Sequence, residues 1–489
     1  MAKNSPKLNS HIPERDISIS RDERLWLLVF LDLAAVNGGL LLSLYFRPDY
    51  ELSWQLAADN PEWFVLLSAI WIFIGSLFQV YDLEKAGHLE VSFGPVASAG
   101  LITVVMYNFI PYLPPALPPS RQPFFITIFS PLVLIGLFRG FYLLIFSQEN
   151  FRRRLLIIGA GWSGKTIYRA IIDHGLSLYD PIGFVDDDPQ KLGKEISLDS
   201  ENFSAGEGGR NLLPVLGSSK KLPDLIQEYK ISTVVLAITH IARSELLGTL
   251  TDSLQQGVEI LPMPVMYEQL TGKVPVEHIG DHWSVSMPLD HPGTKTSRRI
   301  IKRAFDLFWA GIGILFLGLV FPFLALAIYI DSPGPILYRQ KRLGRNGRIF
   351  YVYKFRSMIP MAEKRTAVWA KKDDPRITRV GRLLRKSHLD EFPQCINILK
   401  GEMSVVGPRP ERPEMVETLE QEIPFYRVRL AVKPGMAGWG LVHMGYGSSV
   451  EDALEKLQYD LYYIKNQTVW MDMYILVQTI IDSLSLRGT

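Results

Sequence analysis

Two adjacent carboxylates, Asp390 and Glu391, stand in the stretch RITRVGRLLRKSHLDEFPQCINILKGEMSVVGPRPERPEM at residues 376–415. A basic, helix-like segment with Arg376, Arg379, Arg382, Arg385 and Lys386 precedes them, and a Gly-Pro-Arg-Pro turn that fixes Arg409 between two prolines follows. Neighbouring carboxylates among so many cations suit a site that handles phosphate groups around a bound divalent cation. On composition alone, an exposed amphipathic helix with merely solvated charges competes with that reading. His388, beside Arg and Lys, is a poor metal ligand, and Glu402 is open to either a second metal role or a structural one.

The elements that must position these residues are largely apolar. The chain has 489 residues and a formal net charge of +2, which allows two to four domains and does not suggest a nucleic-acid binder. Its one cysteine, Cys395, excludes an internal disulfide framework and a Cys-based zinc site, and its apolar setting reads as a packed thiol. Four apolar segments, 25–46, 63–80, 93–113 and 124–146, each come close to the ~20 residues that cross hydrocarbon as a helix. Lys3, Lys7, Arg15, Arg21 and Arg24 precede the first, and Arg152, Arg153 and Arg154 follow the last, so both ends are expected on the cytoplasmic side. No small-residue cleavage site follows the charged start, so a cleavable signal peptide is not expected.

Residues 152–158 then open an α/β region, with strands also expected at 181–185, 233–238 and 258–262 and an excursion at 194–210. Gly159, Gly161 and Gly164 form a GxGxxG turn between strand and helix, and Asp186 stands where a ribose-binding acid would sit. The same residues satisfy the NTPase phosphate-loop pattern, but no partner acidic strand of that kind is visible. A Rossmann-like domain with a structural or regulatory role is the leading expectation, and true nucleotide binding the second.

A fifth apolar run, 307–330, carries basic clusters on both flanks: Lys295, Arg298, Arg299, Lys302 and Arg303 before it, and Arg339, Lys341, Arg342, Arg345 and Arg348 after it. A crossing helix would place one cluster outside, against the charge bias. Pro322 favours a kink, so a bent helix that dips into one leaflet and returns is expected. Beyond it, 332–358 reads as a turn, an extended pair and a turn that closes on Lys354 and Arg356. The aromatic and aliphatic stretch 457–480 suits either interfacial helices or ordinary core packing.

HLDEFPQ, INILKGEMSVVGPRP, YKFRSM at 353–358 and DDPRITRVGRLLRK at 373–386 together resemble the signature of the bacterial polyprenyl-phosphate hexose-1-phosphate transferases, in particular their large members that start undecaprenyl-linked polysaccharides. The resemblance implies transfer of a hexose-1-phosphate, galactose-1-phosphate first and glucose-1-phosphate next, from a UDP-sugar to undecaprenyl phosphate. UMP is released, in the first membrane step of exopolysaccharide, capsule or O-antigen synthesis. It also implies a covalent intermediate on Asp390, Mg2+ held by Asp390 and Glu391, and phosphate contacts from Lys354, Arg356, Arg385 and Arg409. GWGLVHMGYG around His443 departs from the family's usual GWAQVNGR and leaves the sugar open. The expected architecture is a four-helix transmembrane domain (1–150), a Rossmann-like domain (151–292) and a monotopic α/β catalytic domain (293–489) with a re-entrant helix at about 298–331. It implies a bacterial inner-membrane protein with its catalytic domain at the cytoplasmic face, contacts with membrane lipids, and a homodimer supported by the first two domains. Two readings of other classes stand beside this one. The first is a catalytically weak scaffold that senses a nucleotide. The second is a membrane-bound nucleotide-sugar dehydratase or epimerase, whose Tyr-x-x-x-Lys is absent between Arg152 and Asp290.

Overall fold

The computed structural model describes residues 21–87, 89–118, 120–146, 152–197, 212–238, 244–278, 296–360, 374–423, 425–445 and 449–485. The chain divides into two compact units, Met1–Met266 and Tyr267–Thr489. The expected boundary at residue 292 lies outside the described residues.

The first unit opens with the helices α1 (Arg21–Tyr45), α2 (Pro61–Leu77), α3 (Leu89–Phe109) and α4 (Arg121–Phe146). Three of them are long and apolar enough to cross a bilayer, and α2, at 17 residues, falls just short. Small residues let α1 and α4 approach: a Cβ added at Gly39 would lie 2.5 Å from Pro131 Cα. Ser130 donates to the Gly39 carbonyl at 2.8 Å, and the Ser43 and Thr127 hydroxyls meet at 2.6 Å. One level along, Arg139 donates from Nε to Asp32 Oδ1 at 3.0 Å and from Nη2 to Oδ2 at 2.6 Å. Asp32 is 0% and Arg139 5% exposed, so each charge depends on the other.

The α/β region follows with β1 (Arg153–Ile158), α5 (Trp162–His174), β2 (Tyr179–Val185), β3 (Glu195–Ser197), β4 (Leu212–Gly217), α6 (Leu222–Glu228), β5 (Thr233–Leu236), α7 (Ser244–Gln255) and β6 (Glu259–Pro262). The sheet order is β3-β4-β2-β1-β5-β6, parallel except for the antiparallel β3 edge. Counting the parallel strands alone, the order is 3-2-1-4-5, the Rossmann arrangement. β1 is buried along nearly its whole length, as a strand covered on both faces must be. Strand β4, absent from the expected set, contains Pro214, a residue that argues against a strand when only the sequence is read. Part of the expected excursion, Glu195–Ser197, is the edge strand, and residues 198–210 lie outside the described residues.

The second unit begins inside α8 (Met263–Thr271). Its stretch to His278 is fastened to the C-terminal region by Lys465 Nζ to Glu268 Oε1 at 2.9 Å and Val274 N to the Gln458 carbonyl at 3.1 Å. Then come α9 (Thr296–Asp331), the antiparallel pair β7 (Leu337–Leu343) and β8 (Ile349–Phe355), α10 (Arg379–Lys386), a 3-10 turn (Leu389–Gln394), α11 (Cys395–Lys400), β9 (Ser404–Val406), α12 (Pro413–Glu422), β10 (Gly435–Ala437), α13 (Trp439–Met444), α14 (Val450–Asn466) and α15 (Val469–Leu484). The expected α/β domain is thus mostly helical, with two two-stranded sheets. The stretch 457–480 contributes Leu457, Leu461, Ile464, Ile475 and Leu476 to the main core, so packing claims its buried face, while Trp470 and Ile480 stay exposed.

Pro322, where a kink was expected, lies inside α9, which is continuous over 36 residues. Its ends are both tied to the same domain. Near the start, Arg303 donates to the Ile398 and Leu399 carbonyls at 2.7 and 2.8 Å, and Asp306 accepts from Ser404 Oγ at 2.8 Å and Val405 N at 3.0 Å. At the far end, Asp331 Oδ2 accepts from Val380 N at 2.8 Å. Between them Gly313 lies against Cys395, Phe316 against Phe392 and Phe321 against Phe355.

Replacing Arg139 alone by Leu leaves the Asp32 charge buried and is expected to destabilise the bundle by about 3–5 kcal/mol, whereas a double replacement of Asp32 and Arg139 by Leu recovers most of that loss. Thermal unfolding in one detergent checks this; equal losses in the single and double variants would contradict it.

Candidate active site

The carboxylate pair sits on a single 3-10 turn. His388 enters it with φ 55, a left-handed conformation that reverses the chain after α10, and Pro393 stiffens its far side. Thr378 starts α10 by accepting from Gly381 N at 3.0 Å, and Gly381 is required there because any Cβ would collide with the Ser357 carbonyl. Behind the turn, Asn397 of α11 donates to the Tyr351 carbonyl at 2.7 Å and accepts from Tyr353 N at 3.2 Å, which fixes the turn to β8. That register brings Lys354, near the end of β8, to the carboxylates.

Asp390 and Glu391 are 8% and 6% exposed. Lys354 Nζ donates to Glu391 Oε1 at 2.8 Å; Arg409 donates to the same oxygen from Nη2 at 2.6 Å and to Oε2 from Nη1 at 3.2 Å. Glu391 is therefore gripped by a fork and a point charge together. Asp390, in contrast, accepts no side-chain or backbone hydrogen bond among the described residues.

These surroundings separate the two acids. Burial and the neighbouring Glu391 push the Asp390 carboxyl up to about 6, against the pull of Lys354, Arg385 and Arg409. Burial also works to raise Glu391, but Arg409 and Lys354 outweigh it and hold its carboxyl well below the usual range. Burial lowers the Lys354 ammonium more than Glu391 raises it.

The Gly-Pro-Arg-Pro turn is built by close packing. A Cβ on Gly407 would lie 2.5 Å from the Lys433 carbonyl, while Gly407 N donates to the Ala437 carbonyl and Gly435 N to the Pro408 carbonyl, both at 2.9 Å. Arg342 Nη1 donates to the Pro410 carbonyl at 3.0 Å, and buried Arg429 donates to the Arg409 carbonyl at 3.1 Å, to Tyr426 Oη at 2.5 Å and to Asp460 Oδ2 at 2.7 Å. Reading the sequence missed Arg429 and Asp460; the sole signal was an arginine set among apolar residues in YRVRLA.

Of the residues singled out in the sequence, Lys354, Asp390, Glu391 and Arg409 come together. Arg385, in the last turn of α10, acts on Asp390 through its charge. Arg356 turns away: its guanidinium donates to the Ser332 carbonyl and fills the space beside Gly334, so it braces the end of α9 instead of meeting the carboxylates. Glu402 is held by Asn397 Nδ2 at 2.7 Å, a structural contact. Cys395 is a buried thiol, pushed up to about 11 by burial. His443 stacks on Tyr459 and packs at a tilt against Trp439, in an aromatic cluster.

The glycine loop belongs to the first unit. Gly159 has φ 104, and a Cβ on Gly164 would collide with the Gly159 carbonyl, while Gly161 faces open space. Asp186, expected as a ribose ligand, is engaged within the loop: it accepts from Ala160 N at 2.8 Å, Asp188 N at 2.9 Å and Lys191 Nζ at 3.0 Å.

No group of three or more His, Cys, Asp or Glu side chains among the described residues is placed to hold a metal. Asp390, which accepts no hydrogen bond among the described residues, has oxygens that fit a Mg2+ ion taking its other ligands from water and substrate phosphates, and Glu391 would share that ion only by giving up a bond to Lys354 or Arg409.

Together these features define a class: a domain laid along an exposed apolar helix, with a buried carboxylate pair held among cations. The bacterial sugar transferase family model matches residues 297–485. The chain is 41% identical over 213 residues to the UDP-N-acetylgalactosamine-undecaprenyl-phosphate N-acetylgalactosaminephosphotransferase of Aeromonas hydrophila, covering 44% of this chain and 49% of that protein. It is 40% identical over 195 residues to the exopolysaccharide production protein PSS of Rhizobium leguminosarum bv. phaseoli, covering 39% of this chain and 97% of that one. The undecaprenyl-phosphate galactose phosphotransferase of Salmonella typhimurium is 28% identical over 370 residues, covering 71% and 72%. The chain belongs to the bacterial sugar transferase family. It spans about half the length of the Aeromonas relative.

An acid raised from 3.8 to about 6 by folding weakens the fold where it is ionised, above about pH 6, and ceases to do so as the pH falls toward 4. Asp390→Asn is therefore expected to stabilise the metal-free protein by about 1–3 kcal/mol at about pH 8 and to lose most of that gain near pH 4.5. Thermal midpoints at the two pH values decide it; the same gain at both is the contrary result. Arg429→Met strands Asp460 in the core and is expected to cost about 3–5 kcal/mol, so an unfolding loss below about 1 kcal/mol would show that Arg429 is not the anchor described.

Proposed function

We propose that the chain transfers a hexose-1-phosphate from a UDP-sugar to undecaprenyl phosphate and releases UMP. The observation that carries this reading is Asp390, buried and free of hydrogen bonds among the described residues, beside a Glu391 neutralised by Lys354 and Arg409. An Asp390 oxygen attacks the sugar-bearing phosphorus of the donor, the bond from that phosphorus to the bridging oxygen breaks, and UMP leaves with the electron pair. An oxygen of undecaprenyl phosphate then attacks the same phosphorus, the aspartyl bond breaks, and the Asp390 carboxylate returns. Lys354, Arg385 and Arg409 supply the positive charge that lets one anion approach another. Mg2+, held by Asp390 and Glu391, would add charge neutralisation on the diphosphate oxygens when bound. Galactose-1-phosphate is the first candidate, because the relative that covers 71% of this chain carries galactose in its name, and glucose-1-phosphate is the second.

The same proposal seats α9 in one leaflet without crossing. Both its ends are fastened to one domain through Arg303, Asp306 and Asp331, while Phe308, Leu315, Leu319, Phe323 and Leu326 are exposed along it. The basic residues at both ends of α1–α4 support a cytoplasmic position for that domain in the inner membrane. A homodimer is part of the proposal.

Purified protein with Mg2+, a panel of UDP-hexoses and undecaprenyl phosphate is expected to release UMP, and without the lipid to gain the mass of one sugar phosphate. Asp390→Asn is expected to lose at least about a thousandfold in turnover together with the adduct. Chelating the divalent cation is expected to stop both. Wild-type turnover in Asp390→Asn would rule out the aspartyl route.

A further inference from the structure

A cavity of about 520 Å3 in the second unit is not lined by Lys354, Asp390, Glu391 or Arg409. It lies where α9 begins, between that helix, the β7–β8 turn, β9, the segment leading into β10 and the start of α15. Its cations are Arg298, Arg299, Lys302, Arg303, Arg345 and Lys433, set against the two carboxylates Asp306 and Asp472.

Both carboxylates are already engaged. Lys302 pairs with Asp472 at 2.9 Å and with Asp306 at 3.6 Å; Asp306 also accepts from Ser404 and Val405, and Asp472 from Tyr463 Oη at 2.7 Å. Arg303 is occupied by the α11 carbonyls. Arg298, Arg345 and Lys433 form no ion pair in contact with a carboxylate among the described residues, although Asp306 acts on Lys433 through its charge. Lys433 is half-buried in this field, where desolvation and Arg303 both depress its ammonium. Part of the wall is apolar, through Ile301, Val432 and Val469, with Ser404, Gln467 and Thr468 beside them, and nearby Ile300 is 65% and Trp470 43% exposed. A cationic recess with an apolar wall, at the foot of a helix whose exposed side chains are apolar, fits a ligand with a phosphate at one end and hydrocarbon at the other.

We propose that this cavity binds the phosphate headgroup of an anionic phospholipid and fixes the depth at which α9 sits. The proposal rests on the membrane seat of α9 described above but not on the transfer reaction. The shared chemistry is a phosphate ester, which a soluble phosphate could also offer, so the test separates the two sources. The full chain is placed in nanodiscs of phosphatidylcholine alone or with phosphatidylglycerol, and thermal midpoints are compared. Phosphatidylglycerol is expected to raise the wild-type midpoint by several degrees, and the double replacement Arg345→Gln with Lys433→Gln to lose at least half of that shift. Glycerol phosphate added to neutral discs is expected to give no rise. The proposal is overturned if wild type shows no lipid-dependent shift, if the double variant keeps the full shift, or if glycerol phosphate reproduces it. It is equally overturned if Arg339→Gln with Lys341→Gln, the same charge change outside the cavity, removes as much. UMP release is read in the same discs, so an inactive wild type sinks the transferase reading while the lipid shift stays measurable.

Discussion

A carboxylate buried beside a second carboxylate must be neutralised or the fold will not hold it. Glu391 satisfies that demand by drawing on three separate elements: its own 3-10 turn, Lys354 at the end of β8, and Arg409 in the stiff turn after β9. The demand then propagates. Arg409 is held in place through its carbonyl by Arg429, which is buried and pairs with Asp460 of α14. One buried charge thus links the hairpin, the two-stranded β9–β10 sheet and the C-terminal helices into a single body. The turn glycines Gly407 and Gly435 let those elements come close enough for the chain of contacts to close.

The same logic explains how α9 is attached. A helix whose exposed face is apolar cannot be fixed by that face to a water-facing domain. Its polar contacts are instead confined to the two ends, Arg303 and Asp306 at one and Asp331 at the other, with Gly313 and the aromatic pairs Phe316–Phe392 and Phe321–Phe355 between. Arg356, spent on the Ser332 carbonyl, belongs to this attachment and not to the carboxylates. The continuity of the helix through Pro322 is compatible with it, because Pro removes one backbone donor and leaves the rest of the ladder intact.

Much of the site was legible because its residues are crowded into short motifs: Asp390 with Glu391, Arg409 between prolines, Lys354 at the end of an extended run. Arg356, expected among the phosphate contacts, is placed at the Ser332 carbonyl. Two residues apart on a strand, Lys354 and Arg356 should face the same way, but β8 ends at Phe355 and Arg356 lies in the turn beyond it. Arg429 with Asp460, and Asp32 with Arg139, were invisible because each pair is made by tertiary packing across long separations, which no local pattern records. The Rossmann-like sheet was recognisable from β1 and its glycine turn. The role given to Asp186 was not, since spacing places an acid near a loop without saying whether its oxygens are spent on the loop itself.

Residue type alone does not separate Asp390 from Glu391, and the resemblance implied the intermediate on Asp390; their surroundings differ in a way that bears on that choice. Both oxygens of Glu391 are occupied by cations, which lowers its basicity and leaves little electron density to share with phosphorus. Asp390 keeps its oxygens free of hydrogen bonds among the described residues and, at about 6, is ionised at neutral pH yet more basic than an ordinary aspartate. Under the proposed reaction that combination favours Asp390 as the attacking group, and Glu391 becomes the anion that holds Lys354 and Arg409 in place until a diphosphate arrives to compete for them. Substrate oxygens would then exchange one set of charge-assisted bonds for another, so the cations need not be desolvated anew at each encounter.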